Sequence, residues 1–388
     1  MKNIKIYTDA VSSYAEDRGY AGYDPYDALN SRLLRLLGHG SKWARIAFTQ
    51  INKRSSINLR PLLGVRKGHN PKGIGLFLWG YAKLYKQTKN AAYLDKVDYL
   101  LGLLEKLKCK GYSGNCWGYN FDWQSRTFLR PMGVPTVVNT SFIGHALLDC
   151  YEFMGRTQAI EMAMSTAQFI LQDLHRTHLG STFCFSYTPV DTGVVHNANM
   201  LGASVLIRLH KYCQDKRLAE AALASLAFSM KHQRNDASWY YADTPSQKWI
   251  DSFHTGFNLQ ALRYFLKEGY GQQYQKAYEQ GVKYYADTFF LEDGTPKYYH
   301  DKVYPIDIHA PAQAIAFFSS MGHPYKPLAD KVLSWMLKNM YSGKGWFYFQ
   351  KHKHYTNKIS YMRWSQAWAF HALTEYLLYC SEGSDHDS

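Results

Sequence analysis

FHTGFNLQALRYFLKE, residues 253–268, opens with aromatic and polar side chains and continues as small and apolar residues at helical spacing. Its apolar positions run nearly all the way round, as they must on a helix buried on two sides. The same layout returns in HNPKGIGLFLWGYAKLY (69–85), NTSFIGHALLDCYEF (139–153), HNANMLGASVLIRLHKY (196–212), HAPAQAIAFFSSMG (309–322) and RWSQAWAFHALTEYLL (363–378). With Asn139, Asn197, His254, His309 and Trp364 as equivalent heads, the steps are 58, 57, 55 and 55 residues, the even period of a repeat architecture.

Each such segment is followed by a more charged one with a single apolar stripe: 90–108, 157–175, 217–233, 271–290 and 324–340. Stripes of this kind belong to helices with one face in water. The alternation predicts an inner and an outer ring, and YDALNSRLLRLL (26–37) with WARIAFTQINKR (43–54) is expected to supply one further pair. The fold class is therefore all-α, an (α/α)6 toroid of about six helical hairpins. A single domain is expected over 1–380, with 1–25 an N-terminal extension and 381–388 a disordered tail.

Aromatic stretches with turn residues, such as GNCWGYNFDWQSR (114–126), STFCFSYTPVD (181–191) and SWYYADTPSQKW (238–249), precede the inner segments. Their period-2 pattern predicts short β-ribbons or extended loops, and connectivity puts them all on one rim. Functional residues are expected there, because loops on a rigid scaffold and helix N-termini are where polar groups stay accessible.

The chain carries 45 Lys and Arg against 31 Asp and Glu, and holds 32 Tyr and 10 Trp. A basic field concentrates anions, and aromatic faces suit stacking on sugars, so an oligo- or polysaccharide of acidic character is the expected partner. The basic residues form no long run, which argues against a nucleic-acid arm or a polybasic anchor. Six cysteines without CxxC spacing fit reduced thiols in a cytoplasmic protein, and MKNIKIYTDAVSSYAED has no apolar leader core. No run of apolar residues is long enough for a membrane span.

Within 249–262, Asp251, His254 and Asn258 lie at i, i+3 and i+7 on one side of a helix. Asp251 is a candidate general acid if burial raises its pKa, and His254 a candidate base. The bland alternative is an N-cap with a hydrogen-bonded histidine. Asp122, at a loop apex among aromatics, is the candidate second carboxylate for glycoside hydrolysis, which needs an acid and a base or nucleophile across the scissile bond. His196 and His309 occupy the place of His254 in neighbouring repeats. Trp117, Trp123, Arg126, Asn139, Tyr187, Asn197, Asn199, Trp239, Tyr241, Asn258, Arg363 and Trp364 are the candidate substrate-binding residues.

The same residues admit a different chemistry. Proton abstraction next to a uronate carboxylate takes a His or Tyr base and an Asn or Arg to stabilise the enolate-like anion, giving an epimerase or a lyase. A non-catalytic glycan-binding assembly protein would also use such a cleft. No HExxH, EF-hand, GxGxxG or GxxxxGK[ST] pattern occurs, so neither a metal nor a nucleotide cofactor is expected.

The alternating helices and aromatic rim resemble the six-hairpin glycosidase superfamily along nearly the whole chain. WIDSFHTG (249–256) resembles the W-x-D segment of unsaturated uronyl hydrolases, which implies an acid/base role for Asp251. The inner-ring histidines resemble those of N-acylglucosamine 2-epimerases, which implies roles for His254 and His309. The layout of 187–206 is similar to the helical domain of glucuronyl C5-epimerases. The chain also resembles uncharacterised toroid proteins of bacterial surface-polysaccharide biosynthesis clusters, implying a glycoside-hydrolase-like role in such a pathway. Terpenoid cyclases share the toroid, but their DxDD motif is absent.

Overall fold

The computed structural model describes residues 2–124 and 129–382. Its helices, in chain order, are α1 (Lys2–Glu16), α2 (Arg32–Leu37), α3 (Lys42–Arg54), α4 (Pro71–Thr88), α5 (Ala92–Lys106), α6 (Val137–Met154) and α7 (Thr157–Gln168). They continue as α8 (His196–Cys213), α9 (Lys216–Lys231), α10 (Ser252–Lys267), α11 (Gln275–Phe289), α12 (His309–Met321), α13 (Lys326–Met340) and α14 (Trp368–Glu382).

The inner ring is α4, α6, α8, α10, α12 and α14, each packed on the next, and α14 returns to pack on α4. The ring is closed. Every residue from Pro71 to Leu84 of α4 and from His196 to His210 of α8 is buried, as expected of helices covered on both sides. The outer helices bury one stripe each; on α5 it is Val97, Leu100, Leu101 and Leu104, spaced at i, i+3, i+4 and i+7.

The N-terminus departs from expectation. Residues 26–37 and 43–54 do not form a ring pair. The sixth outer helix is instead α1, which packs on α14 and so covers the seam. It is more polar on average than most of the other outer helices, although it too is amphipathic. Between α1 and α4 the chain crosses the rim, anchored by Arg363 to Asp24 (2.6 and 2.8 Å) and by Arg60 to Asp27 (2.5 Å). This leaves α3 lying beside the ring axis.

The aromatic stretches form short antiparallel ribbons: β1 (Trp123–Gln124) with β2 (Leu129–Arg130), and β3 (Arg176–Leu179) with β4 (Thr182–Phe185). A three-stranded sheet joins β5 (Ile306–Asp307), β6 (Gln350–Lys351) and β7 (Thr356–Asn357). The stretch 238–249 is extended loop, touching Val195 through a bridge at Ala242.

Inside the ring the middle is blocked. Phe142, Phe257 and Trp368, from α6, α10 and α14, stack with centroids 5.0–5.5 Å apart. Below them Trp79 sits between His145 and His371, and Arg208 pairs with Asp149 at 2.6 Å. A small void of about 30 Å³ lies below this floor, between Trp79, His145, Tyr264 and His371, and the larger space is above it, at the N-terminal ends of the inner helices.

Seam packing is tight at Gly80 of α4, where an added Cβ would meet the Phe370 ring at 2.4 Å, whereas at Gly102 of α5 it would meet nothing within 4 Å. Both substitutions to Ala gain helix propensity, about 1 kcal/mol. Gly102→Ala is expected to stabilise by up to that amount in chemical denaturation, while Gly80→Ala loses about 1–2 kcal/mol net because overpacking outweighs the gain.

Candidate active site

The space above the floor is a cavity of about 530 Å³. All six inner repeats line it, through Lys72, Val138, Asn197, Phe253 with His254, His309, and Arg363 with Trp364. Tyr119, Trp123, Tyr187, Tyr241, Trp249 and Tyr298 from the rim loops form an aromatic wall, and α3 contributes Ile46, Gln50, Lys53 and Arg54.

Two of its groups share one construction. Asp251 caps α10, accepting from the His254 backbone N–H at 3.0 Å. Its other oxygen faces His254 Nδ1 at 2.7 Å and accepts from the Trp249 indole at 2.9 Å. Asp307, two residues before His309, accepts from the His309 backbone N–H at 3.0 Å, from the Trp364 indole at 2.8 Å and from Gln350 at 2.9 Å. His309 Nδ1 lies 3.5 Å from it. At His254 the carboxylate at Nδ1 selects the tautomer whose Nε2 is a free acceptor, whereas His309 Nδ1 makes no hydrogen bond among the described residues; both imidazoles line the cavity. The Phe253 ring lies against both, its centroid 4.3 Å from His254 and 5.2 Å from His309.

Asp251 itself is not presented. Its side chain is 1% exposed against 21% for His254, and each of its oxygens is already engaged. The carboxylate caps the helix with one oxygen and holds the His254 ring and the Trp249 indole with the other.

Burial pushes the His309 imidazole down to about 3, with Lys72 and Arg363 adding to the fall and Asp307 opposing it, so the ring is uncharged at neutral pH. Burial alone would raise the Asp307 carboxyl, but His309 and the Trp364 N–H hold it below its usual range. Lys72, on the first turn of α4, rests its amine 3.9 Å above the Phe142 ring, on the cavity floor. Burial and the nearby Arg363 hold that amine well below the usual lysine range.

Sequence reasoning missed Lys72, though it is the only charged residue among the first twelve of an otherwise apolar helix, Pro71–Ala82. Lys53 and Arg54 were missed because α3 was read as ring material.

Several expected site residues face elsewhere. His196 points outward between rings, with Ser229 at 3.3 Å and Asp243 at 3.0 Å. Asp122 accepts from the Met132 backbone at 2.7 Å and closes its loop, so no carboxylate pair with Asp251 spans the cavity. Trp117 is fully buried and donates to the Leu104 carbonyl at 2.8 Å. Asn199 spends its amide on Phe185, Ser225 and Ser229, tying α8 to its outer helix. Trp239 donates to the Ser229 carbonyl at 2.9 Å and, with Asn258, borders a separate void of about 10 Å³ behind His254. Asn139 is buried off the cavity, and Thr136 takes the capping role beside it. Arg126 lies outside the described residues. The cavity does gather His254, His309, Trp123, Tyr187, Asn197, Tyr241, Arg363 and Trp364.

No family model and no curated protein sequence matches the chain. Solved structures do resemble it. A cellobiose 2-epimerase from Bacillus thermoamylovorans superposes with a TM-score of 0.64 at 12% identity, covering 82% of this chain and 90% of that one. An α-mannanase from Bacteroides thetaiotaomicron gives 0.62 at 11% identity, over 82% and 88% of the two chains. An unsaturated glucuronyl hydrolase specific for heparin gives 0.56 at 15% identity, over 80% and 87%. At such identities the likeness establishes the architecture: the chain has the (α/α)6 toroid fold of the six-hairpin glycosidase-like proteins.

The unfolded chain protonates a histidine near pH 6.5, while folded His309 does so only near 3, so the folded state binds fewer protons in between. Stability is therefore lost as pH falls from about 6.5 towards 3, by about 1.4 kcal/mol per unit for this ring. Thermal melts of His309→Gln across that range are expected to show a correspondingly shallower decline. Lys72→Met is expected to raise the melting temperature at neutral pH, since it removes an amine whose charge burial suppresses.

Proposed function

We propose that the protein is a sugar epimerase-type enzyme. It moves a proton on a carbon next to a carbonyl or carboxylate of an anionic sugar or glycan. The observation that carries this reading is the lining of the cavity: two histidines, the cations Lys53, Arg54 and Arg363 and the Lys72 amine, with no Asp or Glu among the described lining residues. Hydrolysis by paired carboxylates, with Asp251 as acid, lacks the accessible carboxylates it needs. Proton abstraction needs what is present, a base within reach of the substrate and positive or donor groups for the oxygen that gains charge.

In this reading His254 Nε2 takes or returns the proton, and Asp251 keeps the ring in the right tautomer and stabilises the imidazolium. His309 presents the second imidazole from the neighbouring helix. His254 leaves the abstraction as an imidazolium paired with Asp251 and gives that proton, or one exchanged with water, back to the carbon, while uncharged His309 accepts a hydrogen bond from the sugar. The Tyr187 and Tyr241 phenols are held above their usual range by burial and stay protonated as hydrogen-bond donors. Trp123, Trp249 and Tyr298 offer faces for the sugar ring. The cavity volume falls within the usual range for a small ligand. The similarity to epimerase structures supports the reading through the fold alone.

Incubation with uronate-containing oligosaccharides in deuterated water, followed by mass spectrometry and NMR, is expected to give deuterium at one sugar carbon without chain cleavage. His254→Gln should lower the exchange rate about 10²–10⁴-fold. Ultraviolet absorbance of an unsaturated uronate would make the protein a lyase instead. Uptake of water with chain cleavage would restore the hydrolase reading.

A further inference from the structure

The helix α3 is turned the reverse of the usual way. Trp43, Ala47 and Ile51, spaced i, i+4 and i+8, face solvent, while Thr49 and Asn52 are buried and Gln50 and Lys53 line the cavity. A helix on a watered surface puts its apolar stripe inward. Its neighbours do the same: Leu36 is 74% exposed, Trp43 69%, Ile57 70% and Leu62 85%. Residues 28–94 contain no Asp or Glu, and Arg32, Arg35, Arg54, Arg66 and Lys67 are exposed along the same stretch.

We infer that the face built by α2, α3 and the following loop to residue 67 docks on an anionic lipid bilayer. Leu36, Trp43, Ile57 and Leu62 enter the headgroup layer, and the exposed arginines and Lys67 meet lipid phosphates. Charge decides the occupant. A second copy related by a two-fold axis would press this acid-free face against itself, cation on cation. A bilayer offers negative charge over its whole surface and accepts separate protruding side chains without a matching groove. A soluble polyanion would satisfy the arginines but leave the four apolar tips in water. Basic residues mixed with Trp and Leu on one outward surface are what interfacial binding uses, and a tryptophan sits well at that depth. The cations are scattered through the sequence, so no polybasic run announces them; the fold collects them. Because α3 also lines the cavity, docking holds the cavity mouth beside the bilayer.

The test is flotation of the full chain with phosphatidylcholine vesicles, with and without phosphatidylglycerol. Binding to the anionic vesicles, weak binding to the neutral ones and release at high salt are expected. Arg32→Gln with Arg35→Gln should weaken partitioning about 5-fold per charge. Trp43→Ser with Leu62→Ser should weaken it at least as much, with unchanged circular dichroism and melting temperature since both side chains are exposed. Equal binding to both vesicle types, or none to either, overturns the inference. A dimer in sedimentation velocity that Trp43→Ser dissociates would assign the face to a second copy, and retention on heparin without vesicle binding would assign it to a soluble polyanion; either result also overturns it.

Discussion

A helix buried on every side can carry polar groups cheaply only where its own hydrogen-bond ladder leaves backbone donors free, at the N-terminal turn. Six such helices, closed into a ring by the packing of α14 on α4, set the terms for everything else in the molecule. Phe142, Phe257 and Trp368 fill the middle of the ring, so the polar groups below them, such as Arg208 with Asp149, are paired with one another and the large cavity lies at the other end. That end is where the capping aspartates sit. A cap that accepts one backbone N–H has a second oxygen to spare. In α10 and α12 that oxygen, or its neighbour, lies beside the imidazole of the following histidine. The same burial keeps His309 uncharged at neutral pH and holds the Lys72 amine well below its usual range. A structural requirement and a chemical one are thus met by the same few atoms.

Much of the fold was legible in the sequence because inner and outer helices differ in a property that patterning reports directly, the width of the apolar face. The period of the heads located the rim, and the rim does hold the cavity. The N-terminal helices were misassigned for a physical reason. Residues 43–54 have helical periodicity, but their apolar stripe points to solvent, and a pattern carries no label saying which side is water. The lysine-rich α1 hid the sixth outer helix in the same way.

The site was legible only in part. Equivalent sequence positions suggested three equivalent histidines, yet His254 and His309 line the cavity while His196 turns to Ser229 and Asp243. Asp251 was expected as an acid and stands in the structure as a buried cap beside His254. Its spacing to His254 fits a cap, an acid or an orienting group alike; only its burial and its three bonds separate them. Lys72 escaped notice because one lysine in an apolar helix looks like a boundary residue until the aromatic floor beneath it is seen.

The Asp251 carboxylate holds His254 with Nε2 towards the cavity, and burial keeps His309 uncharged at neutral pH. Long-range nitrogen–proton correlation spectra of ¹⁵N-histidine-labelled protein, with His254→Gln and His309→Gln variants for assignment, report the tautomer and charge of each ring. At neutral pH the His309 resonances should carry the shifts of an uncharged imidazole and keep them when the pH is lowered to about 5. The His254 ring should show a proton on Nδ1, facing Asp251. A His309 that charges near its ordinary value of about 6.5, or a His254 without a proton on Nδ1, would contradict this arrangement.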